Sequence, residues 1–126
     1  MLFFKKEKKR VLVVDDEQSI VDITCEFLQD DGYETCSARN TRGAMAEMEK
    51  NPVHAMLLDI NLAGEDGLAF LAEFKKKYPS VPVVILTGAG YDDEMMQSAL
   101  KNGASGYVSK DTDLGNLVVA VKRVLR

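Results

Sequence analysis

An α/β fold is predicted: an open, doubly wound parallel sheet of five strands with five helices on both faces. Three observations predict it, namely short apolar runs, helical apolar spacings between them, and strict alternation of the two along 126 residues. Such alternation means parallel strands joined by right-handed crossovers. A chain of this length buries enough apolar surface for one domain to fold without a metal or disulfide staple, and it leaves no room for a second.

The elements follow in order. Val11 to Val14 is a short run rich in Val and Leu, as a strand buried on both faces requires. Ile20, Ile23, Phe27 and Leu28 then repeat at helical spacing, and Gly32 ends that helix. Tyr33 to Ala38 is the second strand, followed by a helix marked by Ala44, Met45 and Met48 and stopped at Pro52. His54 to Leu58 is the third strand, and Leu68, Leu71 and Phe74 mark a helix closed before Pro79 and Pro82. Val81 to Leu86 is the fourth strand. Met95, Met96, Ala99 and Leu100 form the next helical face, ended by Gly103. Gly106 to Val108 is the fifth strand, and Leu114, Leu117, Val118, Val121, Val124 and Leu125 stripe the last helix. These Met and Phe stripes read as core.

Composition excludes several function classes. The formal charge is −4, but residues 1–10 hold Lys5, Lys6, Lys8, Lys9 and Arg10 against Glu7, which is +4 and leaves −8 on residues 11–126. An acidic body repels a phosphate backbone, so no direct nucleic-acid contact is expected, and the basic arm of residues 1–10 reads as a solvated tail. Met1 to Phe4 is too short for a membrane span, and its charges follow the apolar residues, unlike a signal peptide. No membrane partner is expected. Cys25 and Cys36 form no C-x-x-C and sit in apolar periodic segments, which reads as buried thiols in a reducing cytoplasm. His54, the one histidine, starts the third run and reads as structural.

An open parallel sheet keeps its site at the carboxyl ends of its strands. There the sequence puts Asp15, Asp16 and Glu17 after the first run, Asp59 after the third, Thr87 after the fourth and Lys110 past the fifth. Taken singly, each has an ordinary reading as a helix cap, a turn or a surface charge. Together on one edge they make a site. Converging carboxylates repel one another unless a cation sits among them. Hard oxygen donors without Cys or a nearby His select Mg²⁺, with Mn²⁺ or Ca²⁺ as substitutes, over Zn²⁺. A hydroxyl and an ammonium facing that metal suit a phosphoryl group, and the Asp59 carboxylate can then act as nucleophile to give an aspartyl phosphate.

With these residues in place, the chain resembles the receiver domain of bacterial two-component response regulators, chemotaxis response regulators among them. The match runs from about Val11 to Arg126. It rests on Val-Leu-Val-Val-Asp-Asp-Glu at 11–17, Leu-Leu-Asp-Ile-Asn-Leu-Ala-Gly-Glu-Asp-Gly at 57–67, Val-Ile-Leu-Thr-Gly at 84–88 and Gly-Ala-Ser-Gly-Tyr-Val-Ser-Lys at 103–110. The resemblance implies a flavodoxin-like strand order of 2-1-3-4-5. It implies Asp59 as phosphoacceptor, Asp16 as a direct metal ligand, Asp15 as a neighbour acting largely through water, and Asn61 as donor of a backbone carbonyl. It implies Thr87 as switch hydroxyl, Tyr107 as switch aromatic and Lys110 as phosphate-binding lysine. Asn61 and Ala89 would tune the rate of phosphoryl loss, and Gly64 and Gly67 match turn glycines that tolerate positive φ.

Two positions depart from the family pattern. Ala63 replaces a usual proline, which predicts a looser loop after Asp59, and Asp111 replaces the proline after the lysine, which removes the basis for a cis peptide there. The implied partners are a sensor histidine kinase or phosphotransfer protein and a downstream protein target or output domain. A stand-alone switch and the front of a longer regulator both fit a chain ending at Arg126, as do a monomer and a weak phosphorylation-dependent dimer. Two other readings share parts of this pattern. A flavodoxin-like electron carrier would place a cofactor phosphate where Asp15, Asp16 and Glu17 repel it. An aspartyl-nucleophile phosphatase would have D-x-D where this chain has adjacent aspartates. Gly88-Ala89-Gly90-Tyr91-Asp92-Asp93 begins like G-x-G-x-x-G but ends in Asp.

Overall fold

The computed structural model describes residues 8–88 and 92–126. Five strands, β1 (Arg10–Val14), β2 (Glu34–Ala38), β3 (Ala55–Asp59), β4 (Val83–Thr87) and β5 (Gly106–Ser109), alternate with α1 (Gln18–Asp30), α2 (Thr41–Lys50), α3 (Gly67–Lys77), α4 (Asp93–Lys101) and α5 (Leu114–Val124). All pairings are parallel and the order is β2-β1-β3-β4-β5, as the resemblance implied.

The strand period of two splits each central strand between two cores. Leu12, Val14, Met56, Leu58, Val83 and Ile85 face a cluster closed by Ala44 of α2, Leu71 and Phe74 of α3, and Ala99 of α4. Val11, Val13, Leu57, Val84 and Leu86 face the opposite cluster, closed by Val21 and Leu28 of α1 and by Leu117, Val118 and Val121 of α5. Each fully buried side chain of this size contributes about 1.5–3 kcal/mol. Burial on both faces holds for β1, β3 and β4, whereas β2 and β5 are the sheet edges and only half-buried. Their composition, Glu-Thr-Cys-Ser-Ala and Gly-Tyr-Val-Ser, suits that exposure.

Element ends shift for local reasons. β3 starts at Ala55 because His54 spends its ring on the backbone, its Nδ1 accepting from Arg10 N at 2.9 Å while its own N–H donates to Arg10 O at 2.8 Å. The structural reading of His54 is thereby given its contact. β4 starts after Pro82, which has no N–H to donate, although its carbonyl accepts from Met56 N at 3.0 Å. Arg10, counted above with the basic arm, is instead the first residue of β1, and its guanidinium donates to Glu34 at 2.7 Å and to Pro52 O at 3.2 Å.

The cysteines also differ from expectation. Both are half-buried and free, Cys36 against the α2–α3–α4 side and Cys25 against the α1–α5 side of the sheet. Burial nevertheless pushes the Cys36 thiol up to about 11 and raises Cys25 as well, so both are weak nucleophiles at neutral pH.

Candidate functional site

Four polar side chains are buried outright among the described residues: Asp15, Thr24, Asp59 and Thr87. Three of them stand at strand carboxyl ends, Asp15 directly after β1, Asp59 as the last residue of β3 and Thr87 as the last of β4. Buried carboxylates are tolerated only with charged or hydrogen-bonding partners, and each has them. Asp15 Oδ1 accepts from Glu17 N at 3.0 Å, and Asp59 Oδ1 accepts from Asn61 N at 2.9 Å. Lys110 supplies the rest. Its ammonium lies 2.7 Å from Asp15 Oδ2, 2.9 Å from Asp59 Oδ2 and 3.6 Å from Glu17 Oε1.

One backbone bond aims that lysine: Lys110 N donates to Thr87 O at 2.7 Å, prolonging the β4–β5 ladder by a residue. All described peptide bonds are trans, the one between Lys110 and Asp111 included. Burial, the largest influence on Asp15, raises its carboxyl above the ordinary value against the pull of Lys110. Burial alone would lower Lys110, but the hydrogen bonds and charges of Asp15 and Asp59 outweigh it and push the ammonium up to about 12.

Asp16 sits beside this pair with its backbone and side chain both engaged. Its carbonyl accepts from Arg39 Nη2 at 3.0 Å, and its Oδ2 accepts from Ala63 N at 3.1 Å. Proline has no N–H, so alanine at 63 provides a donor that the family's usual residue cannot. The loop after Asp59 is therefore tied to Asp16 by a bond that proline could not make. It is tied a second time by Glu65, whose carboxylate accepts from Thr41 N at 3.2 and 3.3 Å and from Thr41 Oγ1. A carboxylate at the first turn of α2 also complements the helix dipole. Glu65 and Arg39 carried no sequence signal, since their partners lie 24 and 23 residues away.

Gly64 and Gly67 in this loop have different reasons to be glycine. Gly64 has φ +71°, as expected. Gly67 has no positive φ. It is glycine because a Cβ there would stand 2.5 Å from Ile60 O and 2.9 Å from Ile60 Cα. Backbone atoms cannot step aside as a side chain would, so Gly67→Ala is expected to destabilise the fold by about 2 kcal/mol, read by urea denaturation. A variant as stable as wild type would show that α3 shifts at no cost.

The donor set fits a hard divalent cation. Asp15, Asp16 and Glu17 can each offer a carboxylate oxygen within 4.8 Å of one another. Glu17, left outside the ligand set implied by the resemblance, belongs to this cluster, with a side chain 62% exposed. Tyr107 lies on β5, half-buried against the α2–α3–α4 side of the core. Ala89, with Gly90 and Tyr91 of the glycine-containing stretch, falls outside the described residues.

Comparison with known proteins agrees with this geometry. The profile of the response regulator receiver domain matches residues 11–122. The nitrogen assimilation regulatory protein NtrX of Azorhizobium caulinodans is 38% identical over 117 residues, 91% of this chain and 26% of the relative. The chain thus spans about a quarter of the length of such relatives. The receiver domain of NtrX from Brucella abortus is 38% identical with a TM-score of 0.85, covering 91% of this chain and 97% of that one. The chemotaxis protein CheY4 of Vibrio cholerae is 30% identical with a TM-score of 0.88, covering 94% of this chain and 100% of that one. With that profile running from Val11 of β1 to the last turn of α5, across every strand end just described, this chain belongs to the response regulator receiver domain family.

Proposed function

We propose that this domain is a phosphoacceptor switch that takes a phosphoryl group from the phosphohistidine of a sensor kinase or phosphotransfer protein onto Asp59. The observation that carries the reading is the Lys110 ammonium, 2.7 and 2.9 Å from two buried carboxylates at the strand ends. A buried pair of like charges is costly unless cations are meant to gather there.

In the transfer, a carboxylate oxygen of Asp59 attacks phosphorus as the P–N bond breaks, and the imidazole leaves with the bonding pair. Asn61 N–H, on Oδ1, fixes the plane of the Asp59 carboxylate before attack. Lys110 is placed to follow the charge from the carboxylate to the phosphoryl oxygens. Asp15, Asp16, Asp59 and the Asn61 carbonyl would hold Mg²⁺, with Glu17 at the rim. When bound, the metal offsets negative charge on the phosphoryl oxygens. The Thr87 hydroxyl would then turn toward the new phosphoryl group and Tyr107 would follow, altering the surface of α4, β5 and α5 for a protein target or an output domain. Asn61 and Ala89 would set how fast water removes the phosphoryl group.

The direct test is incubation with acetyl phosphate and Mg²⁺ followed by intact-mass measurement. A gain of one phosphoryl mass, lost when EDTA replaces Mg²⁺, is expected. No gain at any Mg²⁺ concentration, or equal gain in EDTA, would count against the reading.

A further inference from the structure

Asp15, Asp16 and Asp59 each accept a backbone N–H, but the donors differ in origin. Glu17 N on Asp15 Oδ1 and Asn61 N on Asp59 Oδ1 come from two residues further along the same segment. Such local bonds are open to aspartate before any residue but proline. Asp16 is held from across the chain instead, its Oδ2 accepting from Ala63 N at 3.1 Å, 47 residues away. That holder exists only while residue 63 keeps its N–H.

The loop that carries this N–H is anchored in the core. Ile60 and Leu62 are 6% and 4% exposed and pack on the α2–α3–α4 side, while Asn61 and Ala63 are exposed. Glu65 N donates to Leu62 O at 3.1 Å, and of the turn residues between them Gly64 has positive φ, +71°, and Ala63 does not. A four-residue turn with positive φ only at its third position is type II, and its second position, here Ala63, accepts proline readily. The backbone thus accommodates proline at 63. What proline would remove is the bond to Asp16.

We propose that Ala63 is a positioning residue for the divalent cation: its N–H fixes the plane of the Asp16 carboxylate through Oδ2, keeps Oδ1 as the ligand atom, and sets Asp16 against the Asn61 carbonyl of its own loop. In the proposed function Asp16 and the Asn61 carbonyl hold the metal, and the assignment of Ala63 rests on that reading. A hydrogen bond that orients a metal ligand changes affinity by about 10- to 100-fold, and the exposure of Ala63 puts this one at the low end. The identity of the ion matters too. Mg²⁺ demands near-ideal octahedral geometry, whereas Ca²⁺ accepts more oxygens in flexible arrangements. A fixed Asp16 therefore favours Mg²⁺, and freeing it narrows the preference.

The test is titration of the isotope-labelled full chain with MgCl₂ and, separately, CaCl₂, without phosphodonor, binding being read from the amide resonances of Glu17 and Asn61. Ala63→Pro is expected to weaken Mg²⁺ about tenfold but Ca²⁺ only about threefold. Its urea midpoint should stay close to wild type, because proline restricts the unfolded chain while the bond is lost. Ala63→Val, with the bulk of proline and the N–H kept, should bind both ions within about twofold of wild type. In the wild type the Ala63 amide should exchange slowly with solvent and stay slow when Mg²⁺ is bound. Fast exchange at Ala63, Mg²⁺ binding by Ala63→Pro within about twofold of wild type, an equal loss for both ions, or an equal loss in Ala63→Val overturns the proposal. A wild type that binds neither ion overturns the metal reading as well, so the two failures are told apart.

Discussion

Asp59→Asn is expected to abolish phosphoryl uptake and leave the fold standing. Asn is an isostere whose amide oxygen still accepts the Asn61 N–H now donated to Asp59 Oδ1 at 2.9 Å. The amide is not a nucleophile, so the acyl phosphate cannot form. Stability should change little, because two effects oppose each other. The variant loses the 2.9 Å ion pair with Lys110, and it also loses the repulsion by which Asp59 helps to raise Asp15. A net change within about 1 kcal/mol is expected by urea denaturation. A variant that takes up phosphate as wild type does would remove Asp59 from its role, and an unfolded variant would mean that the charge itself is structural.

Lys110→Ala should be the most destabilising single change at the site. Asp15 is fully buried and Asp59 nearly so, and the lysine is the cation in contact with both. Removing one partner of a buried charge pair leaves the other uncompensated, here two carboxylates, at a cost of about 2–4 kcal/mol. The pH dependence has a definite sign. Asp15 is already raised above its unfolded value, and losing Lys110 raises it further. A carboxyl whose folded value is raised destabilises the fold above that value and is relieved as pH falls through it, when the proton is taken up. The deficit of the variant should therefore be full near neutrality and shrink in mild acid. On the alkaline side, Lys110 of the wild type is raised from 10.5 to about 12, so its contribution is present below 10.5 and lost as pH rises through about 12. Mg²⁺ should restore part of the lost stability, by binding the folded state alone. A deficit unchanged by acid and by Mg²⁺ would mean that Lys110 acts through its aliphatic packing.

The strand ends were the most legible part of the molecule. Val11 to Val14 followed by Asp15 reads as a buried strand ending in charge, and the structure has that strand inside the sheet, between β2 and β3, with Asp15 wholly enclosed. The parallel topology forces Asp15, Asp59, Thr87 and Lys110 to one edge, so their meeting follows from alternation alone. Contacts that depend on how loops cross were not legible. Glu65 on Thr41 and Ala63 N on Asp16 join segments 24 and 47 residues apart, with no periodicity to betray them. Gly67 shows a third kind of gap. A glycine in a turn motif invites an explanation by φ, yet here the reason is the closeness of Ile60, which only coordinates reveal. Arg10 likewise counts as a tail charge in composition but is drawn into β1 by Glu34 and Pro52.

The central claim, that Asp59 is the acceptor, is tested most directly by locating the phosphoryl group. Borohydride reduces an acyl phosphate at its carbonyl carbon to the alcohol with release of phosphate, so a phosphorylated aspartate becomes homoserine. After treatment with acetyl phosphate and Mg²⁺, reduction and peptide mass analysis, homoserine at position 59 and unchanged Asp15 and Asp16 are expected. Homoserine at 15 or 16, or a phosphorylated chain whose residue 59 remains aspartate, would contradict it.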